Sequence, residues 1–385
     1  MMSYFEGLKF FVFLSFLLIG ALLNRRFNFA IKPYALFSSA IVMIFIYGEK
    51  PAQFLNLLIY LLWQWLLVWI YLNNFKQKNE KNYLVFIFLS LIPLFSVKMG
   101  EITHYSPFGF LGISYMSFKT VQMIIEINDG LIDTVKFSDF ILFMIYFPTI
   151  SSGPITRSRD FEKNINSEIT KEKYKDYLGD GLLYLLSGLV YKIVISHYLY
   201  GVLGTVQGGF LIRNLKYMYL YGLYMFFDFC GYSYMVYGTS LIYGIKIPLN
   251  FKRPFLSVDI KDFWNRWHIS LSHWFRDFVF SRFVKYEIKK KVIKNLTLIA
   301  CIGYITNMLL MGVWHGLNPS FILYGLYHGI LLALTELFQK TGFYKKNKKK
   351  RAYKLVSGFI TFNLIIFGFY IFSGRFLKEL LIIIK

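Results

Sequence analysis

Apolar residues in this 385-residue chain come in long blocks, separated by short basic or turn-forming stretches. The first block, Phe10 to Leu23, ends at Asn24-Arg25-Arg26 with no small-residue cleavage site, so it reads as a retained span. Runs at 52–72, 83–99, 108–127, 178–200, 215–245, 296–314, 319–338 and 355–373 are long enough for a hydrocarbon core, and shorter ones lie at 34–47, 138–150 and 375–384. Lipid cannot satisfy free backbone groups, and the blocks lack the alternating pattern of a porin strand, so the spans must be helical. The pattern therefore predicts an all-α polytopic membrane protein with about eleven transmembrane helices.

One stretch breaks the pattern. In residues 251–283 aromatic side chains alternate with Lys252, Arg253, Asp259, Lys261, Asp262, Arg266, Arg276, Asp277 and Arg282. That charge density is too costly for the bilayer centre, so the segment should lie in the interface or re-enter it, with Trp264, Trp267 and Trp274 in an aromatic belt. Ser151-Ser152-Gly153-Pro154, followed by Arg157 and Arg159, similarly predicts a bent loop packed against protein. The longest hydrophilic stretch is Ser151 to Lys175, and no internal repeat or flexible linker is visible, which gives a single membrane domain over 1–385.

Composition agrees: 56% of residues are hydrophobic, 17% are charged and mean hydropathy is +0.48, too little polar surface for a soluble body of this size. The net charge of +22 would prompt a nucleic-acid hypothesis in a soluble domain. Here the cations cluster between spans, as in positive-inside loops, and no nucleic acid is expected. The loops holding Arg25, Arg26 and Lys32, then Lys76, Lys78 and Lys81, then Lys285 to Lys294, then Lys345 to Arg351, should face the cytoplasm, and the turn after Trp314-His315-Gly316 the outside. Cys230 and Cys301 sit in apolar runs and build no disulfide or metal framework.

Candidate chemistry centres on histidine, which can take or give a proton near neutral pH. Of His104, His197, His268, His273, His315 and His328, two stand out: His315 at a helix end closed by Asn318-Pro319, and His268 inside the charged aromatic segment. Coming from opposite sides of the membrane, they can meet only around an interior cavity. His273 and Asp277 have the His-x-x-x-Asp form, which on a helix is also an ordinary i,i+4 ion pair. Four histidines between 268 and 328 lack a carboxylate or cysteine at ligand spacing, so no metal is expected. Walker, Gly-x-Gly-x-x-Gly and Gly-x-Ser-x-Gly motifs are absent, so any acyl or phosphoryl donor must arrive already activated. Lys119, Glu126, Lys192, Asp228 and Glu336 lie inside apolar runs, and Asp228 reads first as a structural group.

The stretch Trp264-Asn265-Arg266-Trp267-His268-Ile269-Ser270-Leu271-Ser272, with His315 in Met311-Gly312-Val313-Trp314-His315-Gly316, resembles the membrane-bound O-acyltransferase family. Gly112-Ile113-Ser114-Tyr115, Ser152 to Ile155, Asp228 to Ser233, Asn250 to Phe255 and Tyr324 to Gly329 extend the resemblance over about residues 100–340. Within that family the chain is most similar to the branch that transfers D-alanine to teichoic acids. The polysaccharide O-acetyltransferase branch is the alternative, but its Pro-Leu-Gly-Gly-Asn-Arg-like segment is replaced here by Ser281-Arg282-Phe283-Val284-Lys285.

The resemblance implies re-entrant and interfacial helices around a central funnel and tunnel in a multi-pass protein of the bacterial plasma membrane. It implies His315 and His268 as the catalytic residues, with Asp228, Asn265, Arg266, Ser272 and Trp314 as structural or tunnel-lining groups. D-alanine would arrive as a thioester on the 4′-phosphopantetheine of a small cytoplasmic D-alanyl carrier protein, with no cofactor bound by this chain. It would leave as an ester on lipoteichoic acid, directly or through a partner protein's hydroxyl, and other membrane proteins of the pathway are implied as partners. Acyl carriers are acidic, so Phe280, Phe283 and Val284 beside Arg282, Lys285 and Lys289 form a candidate docking site; the same lysines also suit lipid headgroups. The rival classes are a lipid or ion transporter, which would not need the thioester, and a non-catalytic scaffold, which would not need paired histidine motifs.

Overall fold

The computed structural model describes residues 7–75, 80–103 and 108–384. His104, and Lys76 and Lys78 of the second basic loop, lie outside these residues. Among the described residues the regular structure is helical, and one isolated antiparallel bridge joins Phe251 to Trp267.

Seven helices among the described residues are long and apolar enough to cross a membrane: Leu8–Arg26, Pro51–Asn74, Lys81–Thr103, Lys171–Gly204, Leu296–His315, Pro319–Phe338 and Arg351–Phe372. Their outward stripes are apolar and open, as at Leu55, Leu58, Leu62, Leu66 and Trp69, or Leu355, Val356 and Phe359. Such stripes would be a liability in water and are the natural contact surface for acyl chains. This is a helical membrane protein.

The helices are coarser than the expected eleven spans. Runs 108–127, 138–150 and 375–384 fold as Ile113–Asn128, Phe137–Ile145 and Arg375–Ile384, of 16, 9 and 10 residues, against the roughly 20 that a hydrocarbon core requires. The first is apolar because protein surrounds it: every residue from Tyr115 to Ile127 is buried. Run 215–245 folds, as far as Ile242, within Phe210–Ile242, a 33-residue helix that is long enough but diluted by tyrosines.

The chain divides into two compact units. One comprises Met1–Gly188 with Tyr232–Pro248, the other Leu189–Gly231 with Leu249–Lys385. In the first, polar groups of the Ile113–Asn128 helix hold an irregular buried loop. Lys119 Nζ donates to the carbonyls of Phe143 (2.7 Å) and Met144 (3.3 Å), Gln122 Nε2 to the Thr156 carbonyl (2.9 Å), and Glu126 accepts from Ser158 Oγ (3.0 Å) and Arg159 (3.4 Å). Backbone that cannot reach water is satisfied by side chains instead, which is the condition for irregular structure at membrane depth.

In the second unit Leu296–His315 and Pro319–Phe338 form a tight antiparallel hairpin, each started by an asparagine whose side chain accepts from backbone N–H groups. Glycines let the backbones touch. A Cβ on Gly312 would stand 2.4 Å from the Phe321 carbonyl oxygen, and one on Gly325 2.4 Å from that of Met308. Small residues at helix crossings are how membrane helices gain packing without a hydrophobic driving force.

The charged segment 251–283 folds as short helices, Ile260–Trp264 and Ile269–Phe275, followed by a π-turn over Arg276–Phe280. Several of its charges are compensated. Asp259 caps the first helix by accepting from the Asp262 N–H (2.9 Å) and also takes Gln339 Nε2 (2.9 Å), Lys261 Nζ pairs with Glu336 (2.5 Å), and Arg266 pairs with Asp262 (2.7 Å). Replacing Gly325 with Leu should destabilise the protein by about 1–3 kcal/mol through overpacking of the hairpin. Thermal unfolding in detergent checks this, with Gly342→Leu, where a side chain meets no neighbour, as the silent control.

Candidate active site

Residues 250–272 build a turn that fixes the backbone of one histidine. His268 has φ 44° and ψ 50°, the left-handed region that a residue with a Cβ enters only at a cost. Its neighbours enforce the strain. The Ile269 N–H donates to the Asn250 carbonyl (3.0 Å), and the Lys252 N–H to that of Arg266 (2.9 Å). Asn250 Oδ1 accepts from both the N–H (3.2 Å) and the hydroxyl (2.6 Å) of Ser270, while Ser272 Oγ donates to the Trp267 carbonyl (3.1 Å). His268 is thereby buried, with its ring edge-on to Phe229 at 4.7 Å.

His315 is the last residue of its helix, half-buried, and its ring stands perpendicular to Phe372 at 5.1 Å with Trp314 at 4.6 Å. The two histidines share one neighbourhood. Burial, and secondarily the His315 imidazole, push His268 from 6.5 down to about 3. His268 is therefore uncharged at neutral pH, able to donate from one ring nitrogen and accept at the other. A buried neutral imidazole beside a more accessible one is an asymmetric pair suited to dividing the work of proton transfer from that of orientation.

A cavity of about 180 Å³ lies against this motif, lined by Trp264, Asn265, Ser272, His273, Asn307 and Tyr304 among others. Of the expected tunnel-lining residues it brings together Asn265 and Ser272. Three others are elsewhere: Arg266 in its pair with Asp262, Asp228 in a 2.6 Å pair with Lys192 on a π-helical turn, and Trp314 beside His315. Phe280 also lines the cavity and stacks on Tyr304 at 4.6 Å; with Phe283 it covers Gly303 of the adjacent helix. Those two rings thus face protein, whereas Lys285 and Lys289 are exposed and Arg282 and Val284 are half-buried. His273 lines the cavity, and Asp277 accepts from Arg276 Nε (2.9 Å). His328 is fully buried among Tyr324, Trp264 and Tyr327, where its ring fills the space left by Gly368. Sequence reasoning did not single out Asn307, although a polar residue inside an apolar run, on the helix that ends at His315, is a readable signal.

Comparison with known proteins bears directly on this motif pair. The sequence model for MBOAT, the membrane-bound O-acyltransferase family, matches residues 113–374, which include both histidines. The chain belongs to the membrane-bound O-acyltransferase family. It is 40% identical to the teichoic acid D-alanyltransferase of Bacillus subtilis, with 97% of this chain and 98% of that protein aligned. It is 36% identical to the protein of the same name from Streptococcus thermophilus, with 96% and 94% aligned. A probable alginate O-acetylase of Pseudomonas fluorescens is 30% identical, with 69% of this chain and 51% of that protein aligned. As a member of this family the chain is an acyltransferase.

Unfolded, His268 takes its proton near pH 6.5; folded, only near 3. Stability present above pH 6.5 is therefore lost as pH falls toward 3, by at most about 1.4 kcal/mol per pH unit for this one group. His268→Gln should flatten that loss: between pH 7.5 and 4.5 the wild-type melting temperature should fall further than the variant's. Equal falls would show that His268 is not held neutral.

Proposed function

We propose that this chain transfers D-alanine from a carrier-protein thioester to a hydroxyl outside the bacterial plasma membrane, in the D-alanylation of lipoteichoic acid. The observation that carries the reading is similarity to teichoic acid D-alanyltransferases at 35–40% identity along nearly the whole chain. The alginate O-acetylases, the alternative within the family, align over about 70% of this chain and half of their own length.

In the proposed reaction the D-alanyl group arrives as a thioester on the 4′-phosphopantetheine arm of a D-alanyl carrier protein and enters one membrane-embedded domain through a cytoplasmic tunnel. His315 accepts the proton of the acceptor hydroxyl as its oxygen attacks the thioester carbonyl carbon. The tetrahedral intermediate collapses with cleavage of the carbon–sulfur bond, and the thiolate that leaves takes up the proton from His315. His268, neutral and fixed by its strained turn, orients the thioester by hydrogen bonding. No nucleotide is consumed, because the thioester already carries the driving force. The acceptor is lipoteichoic acid, reached directly or through a partner protein's hydroxyl and served by other membrane proteins of the pathway. A span count near eleven, with re-entrant pieces around an outer funnel, would complete the passage. Placing His315 and His268 in one unit supports chemistry over transport.

The test is release of radiolabelled D-alanine from loaded carrier by the purified chain in liposomes containing lipoteichoic acid. His315→Ala should lower the rate by 10²–10⁴-fold, the typical weight of general-base assistance, while leaving the melting temperature near that of wild type. Label released equally from acetyl-carrier would favour the O-acetyltransferase reading, and undiminished transfer by the variant would remove His315 from the mechanism.

The proposed docking face is the Ser281–Lys290 helix, with exposed Lys285 and Lys289 beside half-buried Val284. A carboxylate there would oppose an acidic partner. Val284→Asp should reduce carrier capture in a pull-down by about tenfold or more, or roughly 1.4 kcal/mol, without loss of fold; unchanged capture would remove this face from the interface.

A further inference from the structure

The cavity lined by Trp264, Asn265, Ser272 and His273 contains two polar groups that protein does not satisfy. Trp264 and Asn307 are each 8% exposed, both line the cavity, and neither Trp264 Nε1 nor Asn307 Oδ1 has a hydrogen-bond partner. Buried unpaired groups of this kind cost about 1–3 kcal/mol each, and they persist in native folds where something else supplies the missing partner. One is a donor only and the other an acceptor, so the missing partner offers an acceptor and a donor together.

The walls narrow the chemistry further. The cavity is lined by Lys261, Arg276 and His273 but by no carboxylate. An ammonium group placed there would be desolvated beside Lys261 and Arg276, whose counter-charges Glu336 and Asp277 are already engaged and do not line the cavity, so no carboxylate is left to pair with it. A neutral secondary amide meets both demands: its N–H can donate to Asn307 Oδ1 and its C=O can accept from Trp264 Nε1–H. The position also suits it. Trp264 lies four residues before His268, and Asn307 stands eight residues, about 12 Å of helix rise, before His315, so a group held between them lies within reach of a thioester arm whose carbonyl is at the histidines, neither of which lines the cavity.

We infer that Trp264 and Asn307 are positioning residues that hold an amide of the thioester-bearing arm, so that the enzyme recognises the arm and not only the acyl group. This rests on the proposed function, and it separates recognition of the arm's amide from recognition of the D-alanyl ammonium, which must be accommodated outside this cavity.

The experiment compares two small donors in the same liposome assay: the D-alanyl thioester of N-acetylcysteamine, which contains the amide, and the D-alanyl pentyl thioester, which has equal chain length and no amide. Wild type should show a kcat/KM at least tenfold higher for the amide-bearing donor. Trp264→Phe and Asn307→Leu, which keep ring and volume, should each collapse that ratio toward one, chiefly through KM, whereas a merely structural defect would lower both donors alike and preserve the ratio. Retention of the wild-type ratio in both variants, or a wild-type ratio near one, overturns the inference. D-alanyl-carrier is run alongside: if wild type transfers from the carrier while the ratios contradict the inference, the inference alone fails; if wild type transfers from no D-alanyl donor, the proposed function fails and the inference with it.

Discussion

Everything about this molecule follows from the need to satisfy backbone polar groups where water is absent. Regular helices meet that need within themselves; a catalytic turn does not. The turn at His268 exists because Asn250 supplies what solvent would otherwise provide, accepting from the N–H and hydroxyl of Ser270 and, through its own carbonyl, from the Ile269 N–H. A histidine in the left-handed region is thereby held in one orientation, so its strain serves as pre-organisation.

The same constraint links the two histidines mechanically. Lys261 and Asp259, a few residues before His268, bind Glu336 and Gln339 near the end of the Pro319–Phe338 helix. That helix packs backbone to backbone on Leu296–His315 at Gly312, Gly325 and Gly329, and His315 closes it. Ion pairs at one end and glycine contacts along the hairpin thus relate the two motifs through rigid elements, which loops could not do as closely. The charges that made segment 251–283 look unlike a span are, in this arrangement, its anchors.

Much of this was legible in the sequence. The apolar blocks gave the helical membrane class, the charge density of 251–283 marked the departure from a simple span, and the pairing of the Trp264–Ser272 stretch with His315 pointed to the family. The number of spans was less legible, because an apolar run buried in protein, such as Ile113–Asn128, has the composition of one buried in lipid. Phe280 and Phe283 looked like a docking surface in one dimension, but the helical phase that turns them toward Gly303 is set by tertiary packing. That Asn307 and Trp264 each carry an unpaired buried atom was hidden for a related reason: such an atom is visible only when all its neighbours are placed.

The central claim is that His268 and His315 act as one unit on one thioester. The most direct measurement is a double-mutant cycle on the transfer rate, with His268→Ala, His315→Ala and the double variant each checked for fold. Residues that act together lose function together, so the double variant should be about as slow as the slower single variant. Losses that multiply, each histidine contributing its full factor independently, would contradict a shared site.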